Sequence, residues 1–419
     1  MNISRRDILR TATSGAAMAT IAPGFKVAFA QQAATTKDIL VVIYLRGAAD
    51  GLQMVAPAGD ANYIANRPTI RVQSSGTNAG LGVGTLGGVD FYLHPANTEL
   101  KAIYDAGKLA IVHAVGLRTD NRSHFECQER MELGANHTEA TPDDGWLARH
   151  VKNLSGTHST LSTVSLATNN PESMLGYSGA VAIASTSGFN VSGGTNNANI
   201  IRALNTGSST QYAKTSVQTL DAISTVQTNL ATLPTDSTNY GYPGGTLTNT
   251  LRSLATLIRL NVGLEVAHID VGGWDHHNNL NSEFNTRATD LARSLGGFWR
   301  EIAASQNRVT IITMTEFGRR FRENASQGTD HGSGSFMFVM GGNVNGGKMY
   351  GTWPGLAANQ LFNGDLDTTT DYRRVVSEVL AKRQGAKALN KVFPTIKYDP
   401  MGIVTGDDTG VVGGSSSAT

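Results

Sequence analysis

The sequence predicts an α/β fold in which a mostly parallel central sheet is covered by helices on both faces. Five apolar runs of strand length alternate with segments whose apolar residues recur at helical spacing. Continuous apolar runs are typical of strands that are buried on both faces, as in parallel sheets. Strands that alternate with helices favour the same architecture. The predicted strands cover residues 38–45, 109–115, 264–271, 309–314 and 336–340.

Helices are predicted between these strands and after the last one, from the spacing of apolar residues. They cover 94–106, 122–134, 249–262, 279–305 and 371–382. Residues 56–92 are rich in Gly, Asn, Ser and Pro and predict an irregular excursion. Ser, Thr, Asn and Gly dominate residues 153–245, where we predict an inserted cap region with short amphipathic stretches.

The first 30 residues have the features of a twin-arginine signal peptide. Arg5 and Arg6 precede a weakly apolar run, and an Ala-x-Ala-like cleavage site ends at Ala30. The run is too short and too weakly apolar to span a bilayer, so no membrane span is predicted. We therefore expect an exported protein, periplasmic or secreted, that meets the twin-arginine export machinery. Residues 31–385 are expected to form the α/β domain, and 386–419 a C-terminal extension with a low-complexity tail.

Composition excludes several classes of protein. The formal net charge is +1, from 34 basic and 33 acidic residues, so nothing in it favours binding to nucleic acid. Charged residues make up 16% of the chain and apolar residues 40%, which argues against a disordered chain. The lone cysteine, Cys127, rules out an internal disulfide and a zinc cluster built from cysteines.

Residues able to bind metal or attack an ester cluster at the predicted strand ends. Because the carboxyl ends of parallel strands share one edge of a sheet, such residues can converge although they are far apart in sequence. Carboxylate together with imidazole suits Zn²⁺ or Mn²⁺, and carboxylate alone suits Mg²⁺ or Ca²⁺. A serine hydroxyl at a helix start beside a metal is a usable nucleophile. The candidates are Asp50, Ser123, Asp275, His277, Glu316 and His331.

Each of these residues also has a purely structural interpretation. Asp275 and His277 could belong to an ordinary polar turn, and Ser123 could simply cap a helix. Glu316 could pair with a nearby arginine. For His124, directly after the candidate nucleophile, a packing or supporting role is at least as well favoured as a catalytic one.

Seven motifs occur in an order that resembles an exported bacterial family known as domain of unknown function 1501. The resemblance covers about residues 38–385. That family is grouped with the alkaline phosphatase superfamily, alongside the sulfatases, so the resemblance implies an alkaline-phosphatase-like fold and suggests two metal ions. The motifs are RGAADGL (46–52), RSHF (122–125), GGWDHH (272–277), TEFGR (315–319), GTDHG (328–332), GTWPG (351–355) and TDYR (370–373).

The resemblance also implies roles for individual residues. Asp50 matches the first metal-binding aspartate, and Ser123 matches the nucleophile. Asp275 and His277 resemble the pair that holds one metal, and His331 resembles a late histidine that completes a metal site. Relatives carry Asp-His where this chain reads Glu316-Phe317, so one expected histidine is missing and Asp330 could supply the lost ligand.

Two functions follow from these observations. The first is an exported, metal-dependent hydrolase or transferase acting on phosphate or sulfate esters, small or polymeric, with one or two divalent ions (Zn²⁺, Mn²⁺, Mg²⁺ or Ca²⁺). In it Ser123 attacks, and Arg46, Arg122 or Arg319 holds the non-bridging oxygens. The second is a non-catalytic exported protein that keeps the fold for binding, assembly or secretion of a partner.

Overall fold

The computed structural model describes residues 37–415, with residues 232 and 235 left out. The predicted signal peptide lies outside the described residues, as does the end of the predicted tail. Among the described residues, no helix is both long and apolar enough to cross a bilayer.

Strands and helices alternate along most of the described chain. The strands are β1 (Ile39–Leu45), β2 (Val55–Ala56), β3 (Leu81–Leu86), β4 (Val89–Leu93), β5 (Leu109–Gly116), β6 (Thr163–Ser165), β7 (Val181–Ala182), β8 (Val266–Val271), β9 (Val309–Met314), β10 (Ser335–Gly341), β11 (Lys348–Tyr350), β12 (Leu361–Phe362), β13 (Asp365–Leu366) and β14 (Thr370–Asp371). The helices are α1 (Gly51–Met54), α2 (Ala61–Asn66), α3 (Thr98–Asp105), α4 (His124–Leu133), α5 (Trp146–Asn153), α6 (Gly194–Asn205), α7 (Gln211–Leu230), α8 (Thr246–Arg259), α9 (Leu280–Glu301), α10 (Tyr372–Gln384) and α11 (Leu389–Val392).

One large sheet contains all five predicted strands. Its order is β11-β5-β10-β9-β1-β8-β6-β7, and β14 also pairs with β5. Every pairing is parallel except those of β10, which runs antiparallel to both β5 and β9. The predicted α/β fold with a mostly parallel central sheet is therefore confirmed. The reversal of β10 places its N-terminal end at the edge where the parallel strands end.

Helices cover both faces of this sheet, as the sequence predicted. Successive side chains of β1 alternate between two cores, because side chains in a strand point to opposite faces. The core that contains Val41 and Ile43 is closed by apolar residues of α3, α8 and α9. The core that contains Leu40 and Val42 is closed by α5, α10 and α11.

The segment predicted as an irregular excursion contains regular structure, so that prediction was wrong. Strands β2, β4 and β3 form a separate antiparallel sheet. The turn between β3 and β4 is Gly87-Gly88, and both residues have positive φ (61° and 82°). A two-residue hairpin turn with positive φ at both positions favours glycine, so the glycines that suggested irregularity make the hairpin possible.

The regions predicted as insert and extension both contact the main domain. Strands β6 and β7, within residues 153–245, extend the edge of the central sheet, whereas α6 and α7 pack against each other. Beyond residue 385, the side chains of Leu389, Phe393 and Ile403 are buried in the core that α10 closes. The division of the chain into domain, insert and extension stays a prediction.

Candidate metal centre

The candidate site lies at the edge of the sheet where the parallel strands end. The loops after β8 and β9 reach this edge, as does the start of α4. His331 precedes its strand, yet it arrives at the same edge because β10 runs against its neighbours. The structure thus brings together Asp275, His277 and His331, as predicted, and adds His124 to them.

Three imidazole nitrogens and one carboxylate converge at the centre. Nε2 of His331 lies 3.0 Å from Nε2 of His124 and 3.0 Å from Nε2 of His277. Oδ1 of Asp275 lies 3.0 Å from Nε2 of His277 and 3.2 Å from Nε2 of His331. Its Oδ2 lies 3.5 Å from Nε2 of His124. Nitrogen and oxygen ligands at about 2.0–2.1 Å from a tetrahedral ion stand about 3.3 Å apart, so the separations within the group of His124, Asp275 and His331 suit one shared ion, with His277 beside this group.

The outer nitrogen of each imidazole faces an oxygen acceptor. Nδ1 of His124 lies 2.7 Å from Oε1 of Glu316, and Nδ1 of His277 lies 3.1 Å from Oδ1 of Asp330. Nδ1 of His331 lies 2.8 Å from the backbone carbonyl oxygen of Arg122. A carbonyl or carboxylate oxygen accepts, so each neutral ring donates through Nδ1 and leaves an unshared electron pair on Nε2. Histidines that bind metals are held in this way by their outer nitrogen.

The chemistry of this donor set fits a divalent cation. The electron pairs of His124 and His331 lie close to each other and to the carboxylate of Asp275, and a cation between these groups would relieve their repulsion. Imidazole nitrogens with a carboxylate oxygen suit Zn²⁺ and Mn²⁺ among the ions considered. His124, Asp275 and His331 are therefore the residues that could hold the ion, and His277, beside His331, is a further candidate.

The charge of Asp275 is secured by Arg319, whose side chain is fully buried. Nη1 of Arg319 donates to Oδ1 of Asp275 over 2.7 Å, and its other nitrogens donate to Thr329. Partial burial acts to raise the pKa of Asp275, but the hydrogen bond and charge of Arg319 outweigh it and lower the pKa to about 2. Asp275 is therefore ionised at any physiological pH.

Two of the histidines respond differently to their surroundings. The hydrogen bond that His124 donates to Glu316 is the main cause that raises the pKa of His124. Burial lowers the pKa of His331, although its bond to the carbonyl of Arg122 acts in the other direction.

Ser123 directly precedes His124 of this centre in the sequence. It is the N-cap residue of α4 by position, but its side chain makes no capping hydrogen bond, and the residue is exposed. His124, which follows it, and the Arg122 carbonyl, which precedes it, both contact the centre. The guanidinium of Arg122 pairs with Asp365 through Nη2, and its buried Nε has no partner among the described residues.

Asp50 lies in a buried ion pair. Its side chain is 1% exposed, and Oδ2 accepts from Nη1 of Arg67 at 2.9 Å and from Oγ1 of Thr329 at 3.1 Å. Oδ1 accepts from the backbone N–H of Gln53 and so caps the N-terminus of α1. Its charge is thus balanced by a guanidinium, while its role as a metal ligand stays a prediction.

Glu316 and Asp330 face the outer nitrogens of the histidines. Glu316 is buried, and its Oε1 accepts from His124, from Nε2 of Gln128 and from the backbone N–H of Gly47. Burial acts to raise the pKa of Glu316, but the hydrogen bonds from His124 and Gln128 lower it on balance. Both carboxylates orient imidazoles here, and their predicted role as ligands is untested.

His124 is the residue that sequence reasoning missed. Its ring stacks on Phe317 at 5.1 Å between centroids with planes 28° apart, and Phe317 also lies 5.2 Å from the ring of His331. The phenyl ring occupies the place where the resemblance predicted a histidine, and His124 brings an imidazole to the same spot from another element. Its position, one residue after a predicted nucleophile at a helix start, was the available signal.

A second cluster of possible ligands is filled by an arginine. Glu132, His268 and Asp270 have ligand atoms close enough for a metal. Arg46 donates to Glu132 at 2.6 Å through Nη2, to Asp270 at 2.8 Å through Nε and to Gln128 at 3.1 Å through Nη1. All three donor nitrogens of Arg46 are thus used within the protein, which leaves it no free fork to hold a substrate.

Comparisons with solved structures give similarities of low identity. The chain is similar to the C-terminal periplasmic domain of EcEptC from Escherichia coli, solved in complex with Zn, with 6% identity, 74% of this chain and 75% of that chain covered, and a TM-score of 0.35. It is similar to the lipoteichoic acid synthase LtaP from Listeria monocytogenes, with 7% identity, 80% and 74% covered, and a TM-score of 0.33. For the alkaline phosphatase from the Antarctic bacterium TAB5 the identity is 12%, with 75% and 95% covered and a TM-score of 0.30.

Comparison at the level of families is more informative. No curated protein matches the chain. A family model described as "Protein of unknown function (DUF1501)" matches residues 110–387, which is more than half of the chain. The resemblance predicted from the motifs is thereby confirmed, and the chain belongs to the family known as domain of unknown function 1501.

Proposed function

We propose that this protein is an exported, metal-dependent hydrolase or transferase of phosphate or sulfate esters, with Ser123 as the nucleophile. The observation that carries the proposal is the group of His124, Asp275 and His331, with His277 beside it, directly after an exposed serine whose side chain makes no capping bond. A serine hydroxyl beside a cation centre is a combination suited to attack on phosphorus or sulfur.

The ion would be held by His124, Asp275, His277 and His331. A divalent ion bound there supplies positive charge that stabilises negative charge developing on the ester oxygens. Ser123 begins the ten-residue helix α4, and the positive end of a helix dipole favours an anionic group at that position. The side chain of Arg319 keeps Asp275 ionised, so the centre retains its carboxylate charge.

In the proposed reaction, Oγ of Ser123 forms a bond to phosphorus or sulfur, and the bond from that atom to the alcohol oxygen breaks. The hydroxyl proton passes to solvent and the departing alcohol takes one up. Water then displaces the serine in hydrolysis, or a second alcohol displaces it in transfer. Arg122 is the arginine best suited to hold the non-bridging oxygens, because its pair with Asp365 uses Nη2 alone, whereas Arg46 and Arg319 each use all three guanidinium nitrogens within the protein.

We further propose export by the twin-arginine route to the periplasm or beyond. The Arg5-Arg6 pattern and the cleavage site supply the support. The export machinery and a small or polymeric ester are the proposed partners, without nucleic acid and without a membrane span.

One observation favours the alternative of a non-catalytic exported protein. Asp50, predicted as a ligand for a second ion, is paired with the fully buried Arg67. A centre with one ion could serve binding or stability alone.

A single set of measurements separates the two functions. The mature protein is stripped with a chelator and reloaded with Zn²⁺, Mn²⁺, Mg²⁺ or Ca²⁺. Its metal content is then measured by elemental analysis, and its turnover with 4-nitrophenyl phosphate and 4-nitrophenyl sulfate. Ser123→Ala should keep the ion and abolish turnover, whereas Ser209→Ala, at an exposed serine before α7, should change neither. Turnover that survives in Ser123→Ala would refute the assignment of the nucleophile. Bound metal with no turnover of either ester would favour the non-catalytic alternative.

A further inference from the structure

Helix α4 presents three polar side chains on one face towards the strand ends. His124, Gln128 and Glu132 are spaced four residues apart, which places them one above the other on a helix. His124 reaches the candidate metal centre at the first turn, and Glu132 reaches Arg46 at the last. Gln128 lies between them and touches both systems.

The amide of Gln128 has only one orientation that satisfies its neighbours. Nη1 of Arg46, which can only donate, lies 3.1 Å from Oε1 of Gln128. The amide nitrogen is thereby turned to the other side, where Nε2 donates to Oε1 of Glu316 over 2.8 Å. Arg46 therefore fixes the amide in the orientation that Glu316 requires.

The guanidinium of Arg46 is fixed by two carboxylates and by an aromatic ring. It bonds to Glu132, whose side chain is 4% exposed, and to Asp270. Its guanidinium also lies over the ring of Tyr44, 4.2 Å from the centroid. A planar fork that two carboxylates already hold loses little freedom when it aligns a third acceptor, so Arg46 is a rigid support for Gln128.

Glu316 connects the oriented amide of Gln128 to the ring of His124. The same Oε1 that accepts from Gln128 accepts from Nδ1 of His124 over 2.7 Å, and the side chain of Glu316 is fully buried. The direction of the His124 ring, and hence of its Nε2 electron pair, depends on where this carboxylate stands. Outer partners of metal-binding histidines are worth about 10- to 100-fold in metal affinity.

We propose that Gln128, oriented by Arg46, is a positioning residue that acts through Glu316 on His124 and so strengthens binding of a divalent cation at the centre. This inference rests on the proposed metal centre but not on any catalysis. It reassigns Arg46, which the sequence offered as a substrate-binding arginine, to a supporting role.

The test measures the dissociation constant of Zn²⁺ for the mature protein by competition with a chromophoric chelator. Gln128→Met, which keeps the length of the side chain and removes both hydrogen bonds, should weaken binding about tenfold, the lower end of the range for such partners. Glu129→Gln, at the exposed neighbour on the same helix, should leave the constant unchanged. The visible spectrum of bound Co²⁺, which reports the coordination of the ion, should change in Gln128→Met and not in Glu129→Gln.

A double-mutant cycle shows whether the effect passes through His124. In a His124→Ala background, Gln128→Met should change the constant by less than about twofold, because the group it positions is gone. An equal loss in both backgrounds, or no loss in the parent, would overturn the proposal. Arg46→Lys cannot bond to three acceptors as a fork, so it should also weaken Zn²⁺ binding in the parent and change it little in the His124→Ala background. It replaces Gln128→Met in the test if that variant does not fold. A parent protein that binds no divalent ion would instead refute the metal centre, and this inference with it.

Discussion

Replacing His124 is the sharpest test of the centre, because the sequence and the structure predict different results. From the sequence, a packing or supporting role of His124 was at least as well favoured as a catalytic one, and His124 was not among the predicted metal ligands. In the structure its Nε2 lies 3.0 Å from that of His331, and Nδ1 is anchored to Glu316. We therefore expect His124→Ala to remove one of four ligand atoms.

The size of the effect can be estimated from ligand number. Four-ligand zinc sites in small domains bind with about 10–16 kcal/mol, so one ligand in four contributes about 2.5–4 kcal/mol. At about 1.4 kcal/mol for each factor of ten, the loss is roughly 10²- to 10³-fold in affinity for Zn²⁺.

Isothermal titration of the chelated protein with Zn²⁺ measures this loss directly. His137→Ala is the matched control, since His137 contacts Glu126 and Cys127 and not the residues of the centre. An affinity of His124→Ala within about twofold of the parent, or an equal loss in His137→Ala, would refute the proposed ligand set.

Two further predictions concern stability. Arg67→Met should lower the free energy of unfolding, measured by urea titration, by about 3–5 kcal/mol, because it leaves the buried carboxylate of Asp50 without its ion-pair partner. Adding Asp50→Asn removes that carboxylate charge and should recover part of the loss. A further loss in the double variant would contradict this reasoning. Burial lowers the pKa of His113 from 6.5 to about 4 in the folded protein. As the pH drops from 6.5 to 4, this histidine is therefore protonated in the unfolded chain but not in the folded one, and the free energy of unfolding falls. The loss amounts to about 2 kcal/mol at pH 5. His113→Phe should therefore cost about 2 kcal/mol less at pH 5 than at pH 7.5, and an equal cost at both values would exclude this linkage.

The strands that matter most were predictable because they are buried on both faces. Every residue of β1 and β9 is buried and most are apolar, and such runs need no alternation to be recognised. The hairpin of β3 and β4 was not recognised because Gly82 and Gly84 interrupt the pattern of β3. The direction of β10 is set by the path of the chain before it, which composition does not reveal.

In the site, too, the sequence reveals which residue types are present, whereas their contacts depend on the fold. Asp275, His277 and His331 were identifiable because their side-chain types and their closeness to strand ends are visible in the sequence. The pairing of Asp50 with Arg67 was not, because Arg67 lies in the segment predicted as irregular and only the fold brings its guanidinium to 2.9 Å. His124 was undervalued because a histidine beside a serine carries no sign of the direction in which its ring points.

The balance of charge at the centre predicts how many ions it binds. The four carboxylates offered by the sequence as ligands carry four negative charges, and two buried guanidiniums bonded to them return two positive charges. Two negative charges remain, which one divalent ion neutralises, whereas a second ion would leave a partly buried centre with two uncompensated positive charges. We therefore expect elemental analysis of the reloaded protein to find one ion per chain, with the count unchanged in Asp50→Asn because Arg67 already occupies that carboxylate. Two tightly bound ions per chain, or loss of an ion in Asp50→Asn, would show that Arg67 yields its place to a metal.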